Sequence, residues 1–185
     1  MKILGFDPGW GKAGWAMVDF VDGGDGIIVS AGILKPKATT KAILALPKTA
    51  QIEHALTRLA GVLRLLQGDI EEPDLVVVEH RQPFPGKGAG GWKTSLVQGA
   101  IFLHWVNLGV QTVLVHPAQV RAVALSKKKV NAEKTEKEDA VQAAEARWGV
   151  PWKAGIPRGQ WEHVCDAAHA ALAAWRKHGR PDQAA

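Results

Sequence analysis

Residues 2–18 read Lys2-Ile3-Leu4-Gly5-Phe6-Asp7-Pro8-Gly9-Trp10-Gly11-Lys12-Ala13-Gly14-Trp15-Ala16-Met17-Val18: an apolar strand, one acid, a glycine-rich turn and a second apolar strand. Pro8 bars Asp7 from the helical region and holds it extended, so the carboxylate projects from the end of the strand. Gly9, Gly11 and Gly14 lack Cβ atoms, which is expected to let a ligand approach the turn backbone. A lone Asp-Pro-Gly is more often a simple turn. Here Ile3 and Leu4 supply a buried strand that ends on the acid, and two further acids occupy unusual settings later in the chain.

The remaining composition bounds the partners. At 185 residues the chain is expected to form one domain over 1–178 with a frayed tail at 179–185. It carries 23 Lys+Arg against 18 Asp+Glu, a formal +5, and the pI is near 9.4, a balance that suits a polyanion. Most of the eight Trp are expected in the core, with exposed ones free to stack on bases. The single Cys165 excludes an internal disulfide and a Cys-based zinc site. Met1-Lys2 runs straight into a strand, so no signal peptide is expected. No apolar run approaches the ~20 residues of a membrane span. A cytoplasmic, intracellular setting follows, in a bacterial cell or a virus-infected host cell.

Strands are expected at 2–7, 13–20 and 27–34, the last two joined by the Asp22-Gly23-Gly24-Asp25-Gly26 cluster. Its two acids lack the other ligands of a calcium loop, so a hairpin turn is the better reading. Residues 35–48 read as a loop. Ile52, Leu56, Leu59, Val62, Leu63 and Leu66 follow helical spacing from Thr49 to Gln67, with Gly68 as a natural stop. The run Leu75-Val76-Val77-Val78-Glu79 has the pattern of a strand buried on both faces, and it too ends on a carboxylate. A flexible basic loop over 81–93 leads into a helix at about 94–108, stopped by Gly109. A short strand at 111–115, a helix opened by Pro117, a helix over 132–148 and a last helix over about 161–177 complete the chain. Three antiparallel-capable strands followed by alternating helix and strand give an α/β fold: a mixed five-stranded sheet with helices on both faces. A right-handed crossover would place the fourth strand beside the first, with Asp7 and Glu79 at one edge.

On the wheel of the last helix, Val164, Ala168, Ala171, Leu172 and Trp175 form one apolar sector. Asp166 lies nearly opposite, beside Ala167, Ala170, Ala173 and Ala174. A face of alanines lets a helix approach other backbone closely. His163 and His169 each lie about 60° from Asp166, in opposite directions. An isolated helix with this pattern would read equally well as a solvated acid–histidine face.

Ile3-Leu4-Gly5-Phe6-Asp7-Pro8-Gly9…Gly14-Trp15-Ala16, Val76-Val77-Val78-Glu79 and His163-x-x-Asp166-Ala167-Ala168 together resemble the RuvC-like Holliday junction resolvases of the RNase H-like (retroviral integrase) superfamily. The resemblance spans nearly the whole chain in order. Val115-His116-Pro117 and Lys137-x-x-x-Val141 resemble the family's fifth strand and later Lys-bearing helix. It implies an RNase H-like fold, cleavage of four-way DNA junctions, and a homodimer with two active sites. It also implies Asp7, Glu79 and Asp166 as ligands of two Mg2+ or Mn2+ ions, with a fourth group one turn away. The usual fourth group is an acid; here it is His163 or His169, and His163 is favoured because it borders the alanine face. The His would serve as ligand or as proton shuttle. Arg81, Lys87, Lys93 and the run Lys127, Lys128, Lys129 are candidate phosphate contacts, Lys134 or Lys137 would stabilise the scissile phosphate, and Phe84 or Trp92 would be an aromatic wedge.

Three other readings compete with this one. Actin-like ATPases share the opening strand but need two such domains, which 185 residues do not hold. An RNase H-like nuclease for other branched or hybrid nucleic acid, or a nuclease-dead DNA-binding module, differs only in what a cleavage assay with metal would report. The helix at 94–108, with Leu96, Val97, Ile101, Phe102, Trp105 and Val106, is either a dimer interface or simply core.

Overall fold

The computed structural model describes residues 1–21, 24–36, 40–80, 91–125 and 137–179. Five strands form one mixed sheet: β1 (Lys2–Asp7), β2 (Ala13–Asp19), β3 (Ile27–Leu34), β4 (Leu75–Glu79) and β5 (Thr112–Val115), in the order β3-β2-β1-β4-β5. β1, β2 and β3 pair antiparallel, while β4 runs parallel to β1 and β5 parallel to β4. Helices α1 (Lys41–Leu44), α2 (Lys48–Asp69), α3 (Gly91–Asn107), α4 (Pro117–Ala124), α5 (Lys137–Trp148) and α6 (Trp161–Ala174) complete the described residues, together with short 3₁₀ turns and a π-helical turn over Trp175–Gly179. This is the α/β sheet with two covered faces that the pattern of elements predicts.

Alternation along the central strands separates two cores. Leu4 and Phe6 of β1, Met17 of β2 and Val76 and Val78 of β4 face α2 and α3, packing with Leu59, Leu63, Val97, Ile101 and Trp105. Ile3, Ala16, Val18, Leu75 and Val77 face the other way, against α6, α4 and α5. Because β1 and β4 are buried on both faces, each reads as a continuous apolar run.

Several boundaries differ from the sequence reading, among them the start of α3 at Gly91, inside the expected 81–93 loop. Gly68 is not a helix stop: α2 continues through it to Asp69, and Gly68 is not among the described glycines with positive φ. The cap is Ile70, whose amide donates to the Leu66 carbonyl. The 35–48 loop contains α1, a single helical turn, and α2 begins at Lys48. The last helix is α-helical only to Ala174 before widening into the π turn, and the tail at 180–185 lies outside the described residues. Gly109 does stop its helix, at φ 78°. Pro117 opens α4 behind His116, whose side chain accepts from the Ala118 amide at 3.2 Å.

Asp25 in the β2–β3 turn acts as a clasp rather than a metal ligand. It accepts from Arg147 Nε at 2.7 Å and Arg176 Nη2 at 2.9 Å, and its carbonyl accepts from Trp148 Nε1 at 3.0 Å. Burial pushes its carboxyl up, but the two guanidinium bonds outweigh burial and hold it below the usual range. The turn is thereby tied to α5 and to the π turn that follows α6. Of the eight Trp, only Trp105, Trp152 and Trp175 are buried; Trp92 is exposed.

Candidate metal centre

Two neighbouring strands end on acids, and the sheet puts both on one side. Phe6 pairs with Val78 across the parallel β1–β4 ladder, so Asp7 and Glu79 occupy the next position of each strand. Both continue the parity of Ile3 and Val77 and point toward α6. Asp7 is 2% and Glu79 4% exposed.

The third acid arrives because two glycines let α6 lie against the sheet. A Cβ on Gly5 would fall on the Ala167 carbonyl oxygen and 3.2 Å from the Ala171 nitrogen. A Cβ on Gly14, the β2 residue paired with Asp7, would fall on the His163 carbonyl oxygen. Helix and strands therefore meet backbone to backbone. The small residues Ala167, Ala170 and Ala171 make this approach possible from the helix side, and all three are buried. This corrects the sequence reading of the turn glycines. Gly14 admits a helix, Gly9 admits the Lys12 carbonyl of its own turn, and only Gly11 faces open space.

The result is an acidic cluster. Asp7, Glu79 and Asp166 each offer an oxygen, and these atoms lie within 4.8 Å of one another. At that separation two carboxylates repel by about 3–4 kcal/mol per pair at an effective dielectric of ~20. Hard oxygen donors from three elements, two of them nearly out of water, form the donor set that magnesium or manganese takes. The residues present fit a divalent cation.

The two histidines beside Asp166 part company. His163 Nδ1 donates to Asp7 Oδ2 at 2.7 Å, and its Nε2 lies 3.8 Å from Glu162 Oε1. The bond to Asp7 raises the His163 pKa; burial opposes this, and the charges of Asp7, Glu162 and Asp166 add to the rise. His169 is fully buried on another side of α6, its ring 5.1 Å from that of Trp148. Neither of its nitrogens meets hydrogen-bond geometry, although the Cys165 carbonyl one turn back attracts the ring. Burial, then the charges of Arg147 and Arg176, push its pKa down to about 3. Only His163 touches the acidic cluster.

Of the remaining sequence candidates, Lys93 in the first turn of α3 is described. Its ammonium lies 5.7 Å from the ring centroids of both Trp10 and Trp92. Lys137 opens α5. Arg81, Phe84, Lys87, Lys127, Lys128, Lys129 and Lys134 lie outside the described residues. The sequence reading missed Trp10 as a partner of Lys93, and missed the 3.1 Å contact between Gln98 Nε2 and Nδ1 of His80, the residue after Glu79. No local pattern marks either contact, since both join segments far apart in the chain. Of the helix at 94–108, Val97, Ile101 and Trp105 are core, while Leu103, Val106 and Leu108 are exposed. Among the described residues, no helix is long and apolar enough to cross a membrane.

No protein-family model and no curated protein sequence matches the chain. Solved structures do. Thermus thermophilus RuvC superposes with a TM-score of 0.64 over 97% of both chains at 23% identity. T. thermophilus RuvC in complex with a Holliday junction substrate gives 0.63 over 94% of this chain and 92% of that one, at 21% identity. The yeast mitochondrial Holliday junction resolvase Ydc2 gives 0.58 over 92% and 77%, at 13% identity. The strand order, the two-faced sheet and these superpositions together establish that the chain has the RuvC-like, RNase H-like fold.

Proposed function

We propose that the protein is a structure-selective endonuclease that resolves four-way (Holliday) DNA junctions by metal-dependent phosphodiester hydrolysis. The observation that carries this reading is the convergence of Asp7, Glu79 and Asp166 within 4.8 Å, with His163 bonded to Asp7, on a RuvC-like fold. The RuvC and Ydc2 structures named above, one of them with a Holliday junction substrate, supply the substrate class.

Asp7, Glu79 and Asp166 would hold two Mg2+ or Mn2+ ions, which when bound acidify water and neutralise charge on the phosphate. The chain's own groups do the rest. Asp7 has two tasks, as donor to the ions and as the acceptor that orients the His163 ring. With its ring oriented by the Asp7 bond, His163 would serve as the proton donor to the leaving oxygen. Burial of Asp7 and Glu79 keeps competing water away from the reacting phosphate. Lys93 and the basic segments carrying Arg81, Lys87, Lys127, Lys128, Lys129, Lys134 and Lys137 would bind phosphates of the arms, with Phe84 or Trp92 at the branch point. Symmetrical cutting needs two sites on a two-fold axis, and exposed Leu103 and Val106 of α3, with Leu108 just beyond it, offer the surface for a second copy of the chain. A cytoplasmic place of action accords with such a substrate.

The test is incubation of the pure protein with a synthetic four-way junction, the matched duplex and an RNA–DNA hybrid, in magnesium or manganese. Paired, symmetrically placed nicks in the junction alone are expected. Equal cutting of duplex or hybrid would move the activity to a general RNase H-like nuclease, and no cutting in either metal would make the chain a binding module.

A further inference from the structure

A cavity of about 680 Å³ opens between α5 and the start of α6, lined by Gln142 and Glu145 on one side and by Arg158, Trp161 and Glu162 on the other. Its volume falls in the range of small-molecule sites. Its position ties it to the acidic cluster: Glu162 Oε1 lies 3.8 Å from His163 Nε2, and His163 Nδ1 lies 2.7 Å from Asp7. One imidazole ring separates the cavity wall from the carboxylates.

The aromatic wall is fixed before any ligand arrives. Trp161 Nε1 donates to the Ile156 carbonyl at 2.8 Å, the Lys153 ammonium lies 3.9 Å from its ring centroid, and the Trp152 ring meets it edge-on at 6.5 Å. Lys153 is itself held by an ion pair with Glu145. An indole held by a hydrogen bond, a cation and a second ring presents a rigid surface on which a planar base stacks. The polar complement of the cavity is mainly accepting, with two carboxylates and the oxygen of one amide, while exposed Arg158 at the rim suits a phosphate.

We propose that this cavity is a nucleobase subsite, which takes one unstacked base of the strand lying at the candidate metal centre and favours a base with an exocyclic amino group over thymine. The amino groups of cytosine, adenine and guanine donate to carboxylate or amide oxygens, whereas thymine turns two carbonyl oxygens and a methyl toward them. Bases beside a branch point have already lost a stacking neighbour, so extruding one there costs least. The inference rests on the DNA-cleavage reading above and gives that reading a sequence preference.

The experiment uses four-way junctions in which each position flanking the cut carries each of the four bases in turn. Cleavage by the wild type and by Gln142→Ala is compared. The same junctions are also bound by Glu79→Gln and by Glu79→Gln with Gln142→Ala, so that base discrimination is read without cutting. Gln142 is exposed on a helix, and Ala is the strongest helix former, so the variant folds. At one position an amino-bearing base should exceed thymine by about tenfold, and Gln142→Ala, which removes one of the three acceptors, should reduce that ratio severalfold in both assays. A ratio that Gln142→Ala leaves unchanged, a flat profile in the wild type, or a preference for thymine overturns the subsite. If the wild type cuts no junction but Glu79→Gln still discriminates through Gln142, the nuclease reading falls and the subsite stands. Normal junction cutting with flat profiles has the opposite meaning.

Discussion

Lowering the pH should destabilise this protein through one buried group, His169. Its ring is fully buried against Trp148, neither nitrogen meets hydrogen-bond geometry, and its pKa is pushed down to about 3 from an ordinary 6.5. The unfolded chain therefore binds a proton at His169 below about pH 6.5, while the native chain refuses it until about pH 3. Stability is lost as the pH falls through that window, at a limiting slope of about 1.4 kcal/mol per pH unit. Between pH 7.5 and 5.0 the loss from this group is about 2 kcal/mol, a sizeable part of the ~5–15 kcal/mol that holds a domain folded. His169→Leu fills nearly the same volume and titrates nowhere. At pH 7.5 it should match or exceed the wild type, because a buried imidazole held only by the weak attraction of the Cys165 carbonyl is replaced by an apolar side chain. At pH 5.0 its advantage should widen by about 2 kcal/mol. The assay is urea unfolding of both proteins in metal-free buffer at the two pH values. His163 titrates with the opposite sign: its raised pKa favours the fold at low pH and that contribution fades as the pH rises through it. The term is common to both proteins and cancels in the difference. Parallel stability curves for the two proteins would refute the reasoning and mean that the native state accepts a proton at His169.

Asp7→Asn, Glu79→Gln and Asp166→Asn should each abolish cleavage while junction binding stays largely intact, because the carboxylates serve the ions and phosphate affinity comes from Lys and Arg. Full activity in any one removes that residue from the centre. His163→Ala should lose on the order of 10²-fold in cleavage rate, equally in magnesium and manganese, and His169→Ala much less; a loss confined to one metal would make the ring a ligand instead. Gly5→Ala drives a methyl into the Ala167 carbonyl, and backbone stands on both sides. It should therefore cost about 3 kcal/mol or more in denaturant unfolding and impair cleavage by displacing Asp166; a wild-type unfolding midpoint would show that α6 can retreat without loss. Replacing Lys127, Lys128 and Lys129 by Ala should reduce the log–log salt slope of junction binding by about one per lost phosphate contact, and an unchanged slope would return the run to plain surface.

The periodicities that build the sheet are local, so they were legible. Ile3–Phe6 and Leu75–Val78 look alike because both strands are covered on two faces, and each stops on its acid. Gly68 was misread because a glycine ends a helix only where the backbone turns to positive φ, and here Leu66 accepts from Ile70 while the helix runs on. The glycines of the first turn were misjudged for a related reason. A missing Cβ announces that something comes close, not what it is, and at Gly14 the visitor is the α6 backbone. By itself, then, the sequence determined the strands, the acids at their ends and an Asp166 flanked by two imidazoles at equal angles. The alanine sector favoured His163, but only the tertiary structure decided between the imidazoles, because the wheel does not show what packs against either side of Asp166. The glycines at 5 and 14 supply that packing by seating α6 so that His163 lies on Asp7 and His169 is sealed against Trp148.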